Sequence, residues 1–333
     1  MWRPEPPWIW QTGYRMELDG ILTQRAWEKG VSFDLVYAWE DIFSRELGIP
    51  LVGRNRMVEA LYRRLPGRQS VPTGHKRFLL TEMEPMPGKN AYNRAQVIPY
   101  WVDFFLREPS LPALVRSYDA CPAIFVSSRE AYEFLREQGT GLPLHHLALS
   151  LPDSVLKDEL PEKQYDVALM GRPNAVLGDF FRRYVADHPC TYVYRKMKDG
   201  RFLYYDQTGV CLGDVDDHAK FMDLMRRCRV GLYATPGMDD PNGRTHGFSQ
   251  VTPRFLEYLS AGCHVLMRYR SNPDTDYYGL ESFCPSVDTY DAFERTMTDF
   301  LRRPVNMDHY RHYLSGHITS ARVREMQQIL STL

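Results

Sequence analysis

The chain has 333 residues, of which 44% are hydrophobic and 25% charged, and its net charge is -1. That length favours two domains, and that composition a soluble globular fold. The charge balance supplies no global basic field, so a nucleic-acid partner is not expected.

Residues 14–30 read as a helix with Leu18, Leu22 and Trp27 on one side, and residues 32–38 (SFDLVYA) as a buried strand followed by Glu40 and Asp41. A short strand at 50–52 and a helix at 55–65 follow. Residues 77–81 (RFLLT) form another buried strand, with Glu82 and Glu84 after it. Ligands of α/β sheets gather beyond the carboxyl ends of strands, which makes these four acids candidates for site chemistry. Acids also favour helix starts, and that pattern is the same. Residues 85–100 read as irregular and 101–118 as helical. A strand at 123–127 leads to a helix at 128–138, capped by Ser127 or Ser128. The histidines of the short strand 145–149 lack a partner at metal-ligand spacing and read as structural. The charged, proline-containing stretch 151–164 reads as an interdomain linker.

A second α/β series follows. Its strand 165–170 leads to Gly171 and Arg172, then a helix at 176–186. The strand 191–194 ends in Arg195 and Lys196, and the strand 210–212 in Gly213 and Asp214. A helix at 219–227 and a strand at 229–234 precede Thr235 and Pro236. The next helix, 253–260, reads as amphipathic, with Thr252 as cap, Pro253 in its first turn and Gly262 as its stop before the strand 264–267. A helix start holds anions through its dipole and N–H groups. Arg254 and Glu257 lie one turn apart on one face, which sets a phosphate-seeking cation beside a carboxylate able to accept from sugar hydroxyls. A plain surface ion pair would look the same. Helices at 288–302, 306–314 and 318–331 complete the chain. Strands alternating with helices argue for mostly parallel sheets covered on both faces, and two such series for two domains facing across a cleft.

The six cysteines, at 121, 190, 211, 228, 263 and 284, show no zinc-type pairing and read as reduced core thiols of a cytoplasmic protein. No apolar run reaches the ~18 residues that span a bilayer. The opening MWRPEPPWIW has prolines and an acid where a signal peptide needs an unbroken apolar core. Its Trp2, Trp8 and Trp10 suit packing on the N-terminal domain or peripheral contact with a membrane surface.

Residues 209–266 resemble the donor-binding half of group 1 glycosyltransferases of the GT-B fold, whose R-F-E-A-L-A-x-G pattern is matched by RFLEYLSAG at 254–262. The strand and glycine turn YDVALMGR at 165–172 resemble the start of the same domain, and HITSAR at 317–322 the H-T-x-x-x-R ending of the spore-maturation-type branch. Residues 121–153 resemble the end of the N-terminal domain. The resemblance implies an N-terminal acceptor-side domain at 1–155 and a Rossmann-like donor domain at 156–316. A final helix at 317–333 would cross back onto the first domain. It implies transfer from a nucleotide-diphosphate sugar to a hydroxyl of a glycan, such as a surface polysaccharide. The diphosphate would meet Gly171, Arg172, Arg254 and the turn at Thr252 and Pro253, with Arg195 and Lys196 as further cations. Glu257 would hold the ribose, and the base would lie against backbone at Gly213, Asp214 and Val215. If the reaction inverts, its base comes from Glu40, Asp41, Glu82 or Glu84, with His246 as an additional candidate.

One departure stands out. Many members carry a glutamate eight positions before the ribose glutamate, and this chain has Ser249 there. That leaves room for a second reading, a catalytically inert nucleotide-sugar-binding or coat-associated protein of the same fold. The sequence Asp274-Thr275-Asp276 resembles the Asp-x-Asp metal motif of the other large glycosyltransferase fold. It comes late and in a loop, so it reads as turn acids, and no obligatory metal is expected.

Overall fold

The computed structural model describes residues 8–11, 14–15, 78–82, 84–85, 87, 97–151, 153–171, 173–198, 201–214, 218–240 and 243–332. Glu40, Asp41, Arg172 and Val215 lie outside these residues, as do the strands expected at 32–38 and 50–52 and the helix at 55–65. Of the helix expected at 14–30, only residues 14–15 are described, and they form a strand.

The first sheet contains β1 (Trp8–Gln11), β2 (Tyr14–Arg15), β3 (Phe78–Glu82), β4 (Val97–Trp101), β5 (Ile124–Val126) and β6 (Leu144–His146), in the order β2-β1-β3-β4-β5-β6. All its pairings are parallel except β1 with β2. Trp8 and Trp10 are thus strand residues. β4 corrects the irregular reading of 85–100. Proline removes a ladder donor, and Pro99 hides a strand that nevertheless pairs on both sides. Helices α1 (Leu111–Tyr118) and α2 (Arg129–Glu137) belong to this half.

The second sheet contains β7 (Tyr165–Leu169), β8 (Tyr192–Lys198), β9 (Arg201–Asp206), β10 (Cys211–Asp214), β11 (Cys228–Ala234) and β12 (His264–Arg268), in the order β10-β9-β8-β7-β11-β12. β7, β8, β10, β11 and β12 run the same way and β9 runs against them, so the pairs β8–β9 and β9–β10 are antiparallel. The sheet is therefore mixed at one edge, and β9 was not legible as a strand. Its helices are α3 (Ala175–Asp187), α4 (His218–Arg226), α5 (Pro253–Ser260), α6 (Pro273–Tyr277), α7 (Leu280–Phe283), α8 (Tyr290–Arg302), α9 (Met307–Ser315) and α10 (Thr319–Leu330).

Helix α5 is less amphipathic than its sequence suggests: residues 255–260 are all buried. It seats on the sheet through Tyr258, which lies over Gly231 and donates from its hydroxyl to Ala168 O at 3.2 Å. A Cβ at Gly231 would stand 2.3 Å from the Tyr258 ring. Gly262, with φ of 65°, ends the helix as expected. The thiols follow the sequence reading only in part: Cys121, Cys228, Cys263 and Cys284 are buried, and Cys211 is exposed.

Helix α10 returns to the first sheet. Its Met326, Ile329 and Leu330 pack with Ile98, Tyr100, Phe125 and Leu147. The return is fixed where the chain crosses twice: Leu151 bridges Ile318, and Thr319 N donates to Leu151 O at 2.8 Å. His317 and Arg322 explain the tail motif in structural terms. Arg322 Nη2 donates to His317 Nδ1 at 3.0 Å, and the imidazole stacks on Tyr278 and Tyr313.

The carboxyl edges of the two sheets face each other. Gln250, in the loop after β11, donates to Val102 O just beyond β4 at 2.8 Å. Asp274, in α6, caps α2 from the other half of the molecule, accepting from Ser128 Oγ, Arg129 N and Val251 N. Glu130 answers from α2, accepting from Ser249 N at 2.7 Å. Asp274 is 0% exposed. Burial, with Glu130 nearby, pushes its carboxyl from 3.8 up to about 7, against the lowering effect of its three donors.

Two outcomes follow from this packing. Gly231→Ala should destabilise the protein by about 1–3 kcal/mol in denaturant titration, because Tyr258 has no room to move. Between 3.8 and about 7 the folded protein holds a proton at Asp274 that the unfolded chain has released. The contact therefore loses stability as pH rises through that window. The melting-temperature gap between wild type and the non-titrating Asp274→Asn should move against wild type from about pH 5 to about pH 8, and a gap moving the other way would contradict this.

Candidate functional site

The site builds on the carboxyl edge of the second sheet. β7 ends at Leu169 and the chain turns at Gly171; α5 starts beside that turn. A Cβ at Gly171 would lie 4.0 Å from Arg254 Cγ, so the glycine turn and the first turn of α5 are neighbours. Arg254 is 11% exposed and pairs through Nη1 with Glu257 Oε2 at 2.9 Å. Its guanidinium carbon stands 4.2 Å over the Phe221 ring. Glu257, expected at the ribose, is 0% exposed, and a fully covered carboxylate reaches no ligand in this conformation. It pairs with Arg254, as a buried charge requires a partner.

Thr252 precedes the helix as expected but makes no side-chain cap. Its N–H donates to Tyr233 Oη at 2.9 Å instead, and Pro253 takes the first helical position. Arg195 and Lys196 lie inside β8 rather than beyond its end, so strand alternation sends them to opposite faces. Arg195 shares a face with its cross-strand partner Tyr204 on the Arg254 side, while Lys196 stands over Tyr194 and Tyr205 on the other. Gly213 pairs with Tyr204, and Asp214 with Leu203, at the outer edge.

Three strand ends are tied together by residues the motifs did not single out. Arg268 closes β12 and grips Asp239 with Nε at 2.6 Å and Nη2 at 2.9 Å. Asn174, which caps α3, donates to Asp239 Oδ2 at 3.0 Å. The Arg268 bonds hold the Asp239 carboxyl below its usual range. Asp239 and His246 are non-glycine residues with positive φ, 55° and 52°, both in the loop after β11. His246 was already a candidate from the sequence, whereas only backbone geometry flags Asp239. A groove of about 1070 Å³ opens beside Asp239, lined in part by Tyr269, Arg270, Asp276, Glu281 and Ser286.

Among the acid–base candidates, Glu82 ends β3 and Glu84 is exposed just beyond it. His246 donates from Nδ1 to Phe105 O of the first half. That bond fixes the ring and leaves Nε2 as the basic nitrogen of the neutral form. Ser249, at the place of the missing glutamate, is 1% exposed and bonded to Thr235 Oγ1 at 2.7 Å. In the Asp-x-Asp sequence, Asp274 is taken up by the cap on α2, and the carboxylates do not converge: Asp276 lies beside Ser271.

No family model and no curated protein matches the sequence. Solved structures are similar in shape. One is the crystal structure of a GtfA/B complex, with a TM-score of 0.50, 10% identity and 83% of this chain covered; the chain spans 60% of its length. Another, described as a UDP-N-acetylglucosamine 2-epimerase from Listeria monocytogenes, has a TM-score of 0.44 at 10% identity, with 91% of this chain and 81% of that one covered. The likeness to the first concerns the fold alone. With the sheet topology and the facing carboxyl edges, the fold is GT-B: two Rossmann-like α/β units across a cleft, with the C-terminal helix returning to the first.

Proposed function

We propose that the protein is a nucleotide-sugar-dependent glycosyltransferase, divided near residues 155 and 316 as the sequence suggests. The observation that carries the reading is the meeting of the Gly171 turn with Arg254 at the start of α5. A glycine turn, a helix start and a guanidinium together suit a diphosphate leaving group. The acceptor hydroxyl attacks the anomeric carbon, the bond to the diphosphate oxygen breaks, and the acceptor proton passes to a base. Arg254 takes the growing phosphate charge, and no obligatory metal is invoked. His246 is the base candidate with a fixed ring, and Glu82 and Glu84 are its rivals from the first unit. The groove beside Asp239 offers carboxylates and hydroxyls, which suit a polyhydroxylated glycan acceptor such as a surface polysaccharide. A cytoplasmic setting fits a nucleotide-sugar donor, and no helix among the described residues is long and apolar enough to cross a membrane.

A second reading, donor binding without transfer, is favoured by Ser249, whose hydroxyl is spent on Thr235. Donor hydrolysis by purified protein separates the two. Turnover supports the transferase, and binding without turnover across many acceptors supports the inert protein.

A thermal-shift screen tests the shared premise. One of UDP, GDP or dTDP should raise the melting temperature in the presence of EDTA, and Arg254→Ala should abolish the rise. An unchanged rise in the variant would contradict the phosphate role. His246→Ala should lower kcat by about 10²–10⁴-fold while keeping the nucleotide-induced shift, and an unaltered kcat would pass the role to Glu82 or Glu84.

A further inference from the structure

The β8–β9 hairpin runs past the sheet that carries it. β8 pairs with β7 through residues 192–194 only, so residues 195–198 and their partners 201–204 overhang the carboxyl edge at the Gly171 turn. Arg195 and Met197 share one face of this arm with Tyr204 and Phe202, their cross-strand partners.

That face continues the phosphate site. The Arg254 guanidinium lies over Phe221, whose ring centroid is 6.2 Å from that of Tyr204. Arg195 stands opposite Tyr204 across the hairpin, and its guanidinium carbon lies 4.4 Å over the Phe202 ring. The row starts in the core, with Phe221 at 0% and Tyr204 at 3% exposure. It ends in the open, with Phe202 at 43% and Met197 at 59%. A strand advances about 3.3 Å per residue, so Phe202 stands about 7 Å beyond Tyr204.

Exposed large apolar side chains in one place call for a ligand. Here they end a row of rings and guanidinium groups that begins at the residue assigned to phosphate. A flat heteroaromatic ring carried one sugar away from a diphosphate fits that end, because rings stack on aromatic faces without regard to base identity.

We propose that the overhanging hairpin is the base-recognition arm, with the donor's nucleobase stacked on Phe202 and flanked by Met197. This rests on the reading of the ligand as a nucleoside diphosphate. It differs from the expectation that the base lies only against backbone at Gly213–Val215. Gly213 pairs with Tyr204 on the neighbouring strand, so β10 runs alongside the inner part of the arm.

Calorimetric titration of the full chain with UDP, GDP, dTDP and inorganic pyrophosphate tests the arm. Phe202→Ala should weaken the preferred nucleoside diphosphate about tenfold to hundredfold and leave pyrophosphate unchanged, while Phe202→Trp retains tight binding. Arg254→Ala should weaken both ligands. The arm's role is overturned if Phe202→Ala binds the nucleotide as wild type does, if it loses both ligands equally, or if wild type binds no nucleotide more tightly than pyrophosphate. If wild type binds neither pyrophosphate nor any of the nucleotides, the proposed function falls and the arm with it.

Discussion

A fully buried carboxylate must be neutralised, and Glu257 meets that demand through Arg254. Helix α5 is covered along residues 255–260, and the pair joins the covered Glu257 to the 11% exposed Arg254 in its first turn. The stem of Arg254 thereby runs beside the Gly171 turn, and its guanidinium lies over Phe221 rather than in solvent. Breaking this buried pair is costlier than losing a surface pair. The same pair that stabilises the helix start sets the charge of the proposed site.

Around this pair the fold arranges two kinds of contact. Within the second unit, Asp239 joins the ends of β7, β11 and β12 through Asn174 and Arg268, which makes the carboxyl edge one rigid rim. Between the units, carboxylates exchange N–H groups: Asp274 caps α2, and Glu130 holds Ser249 N. These contacts lead into the loop that precedes α5, so closure of the units and the geometry of the helix start are mechanically linked. Closure of such a cleft would exclude water from a reactive donor.

Much of this was legible in the sequence, and the failures have causes. Helix α5, its glycine stop and β12 were readable because local signals and tertiary packing agree there. β4 was hidden by Pro99, whose local preference opposes the pairing that burial imposes. The β8–β9 hairpin was missed because Lys196, Met197, Lys198 and Phe202 are exposed and show no apolar strand pattern; Arg195 and Lys196 consequently read as strand-end cations. The resemblance placed Arg254 beside a glycine turn, but the burial of Glu257 and the clamp on Asp239 depend on contacts between distant segments. Asp274 and Asp276 read as turn acids of a loop, whereas they lie in the short helix α6, from which Asp274 caps α2.

The most direct measurement is a crystal structure of the protein grown with a nucleoside diphosphate. The diphosphate oxygens should lie within hydrogen-bond distance of the Arg254 guanidinium and of backbone N–H groups at the Gly171 turn. A diphosphate bound elsewhere in the cleft, with Arg254 engaged only by Glu257, would contradict this.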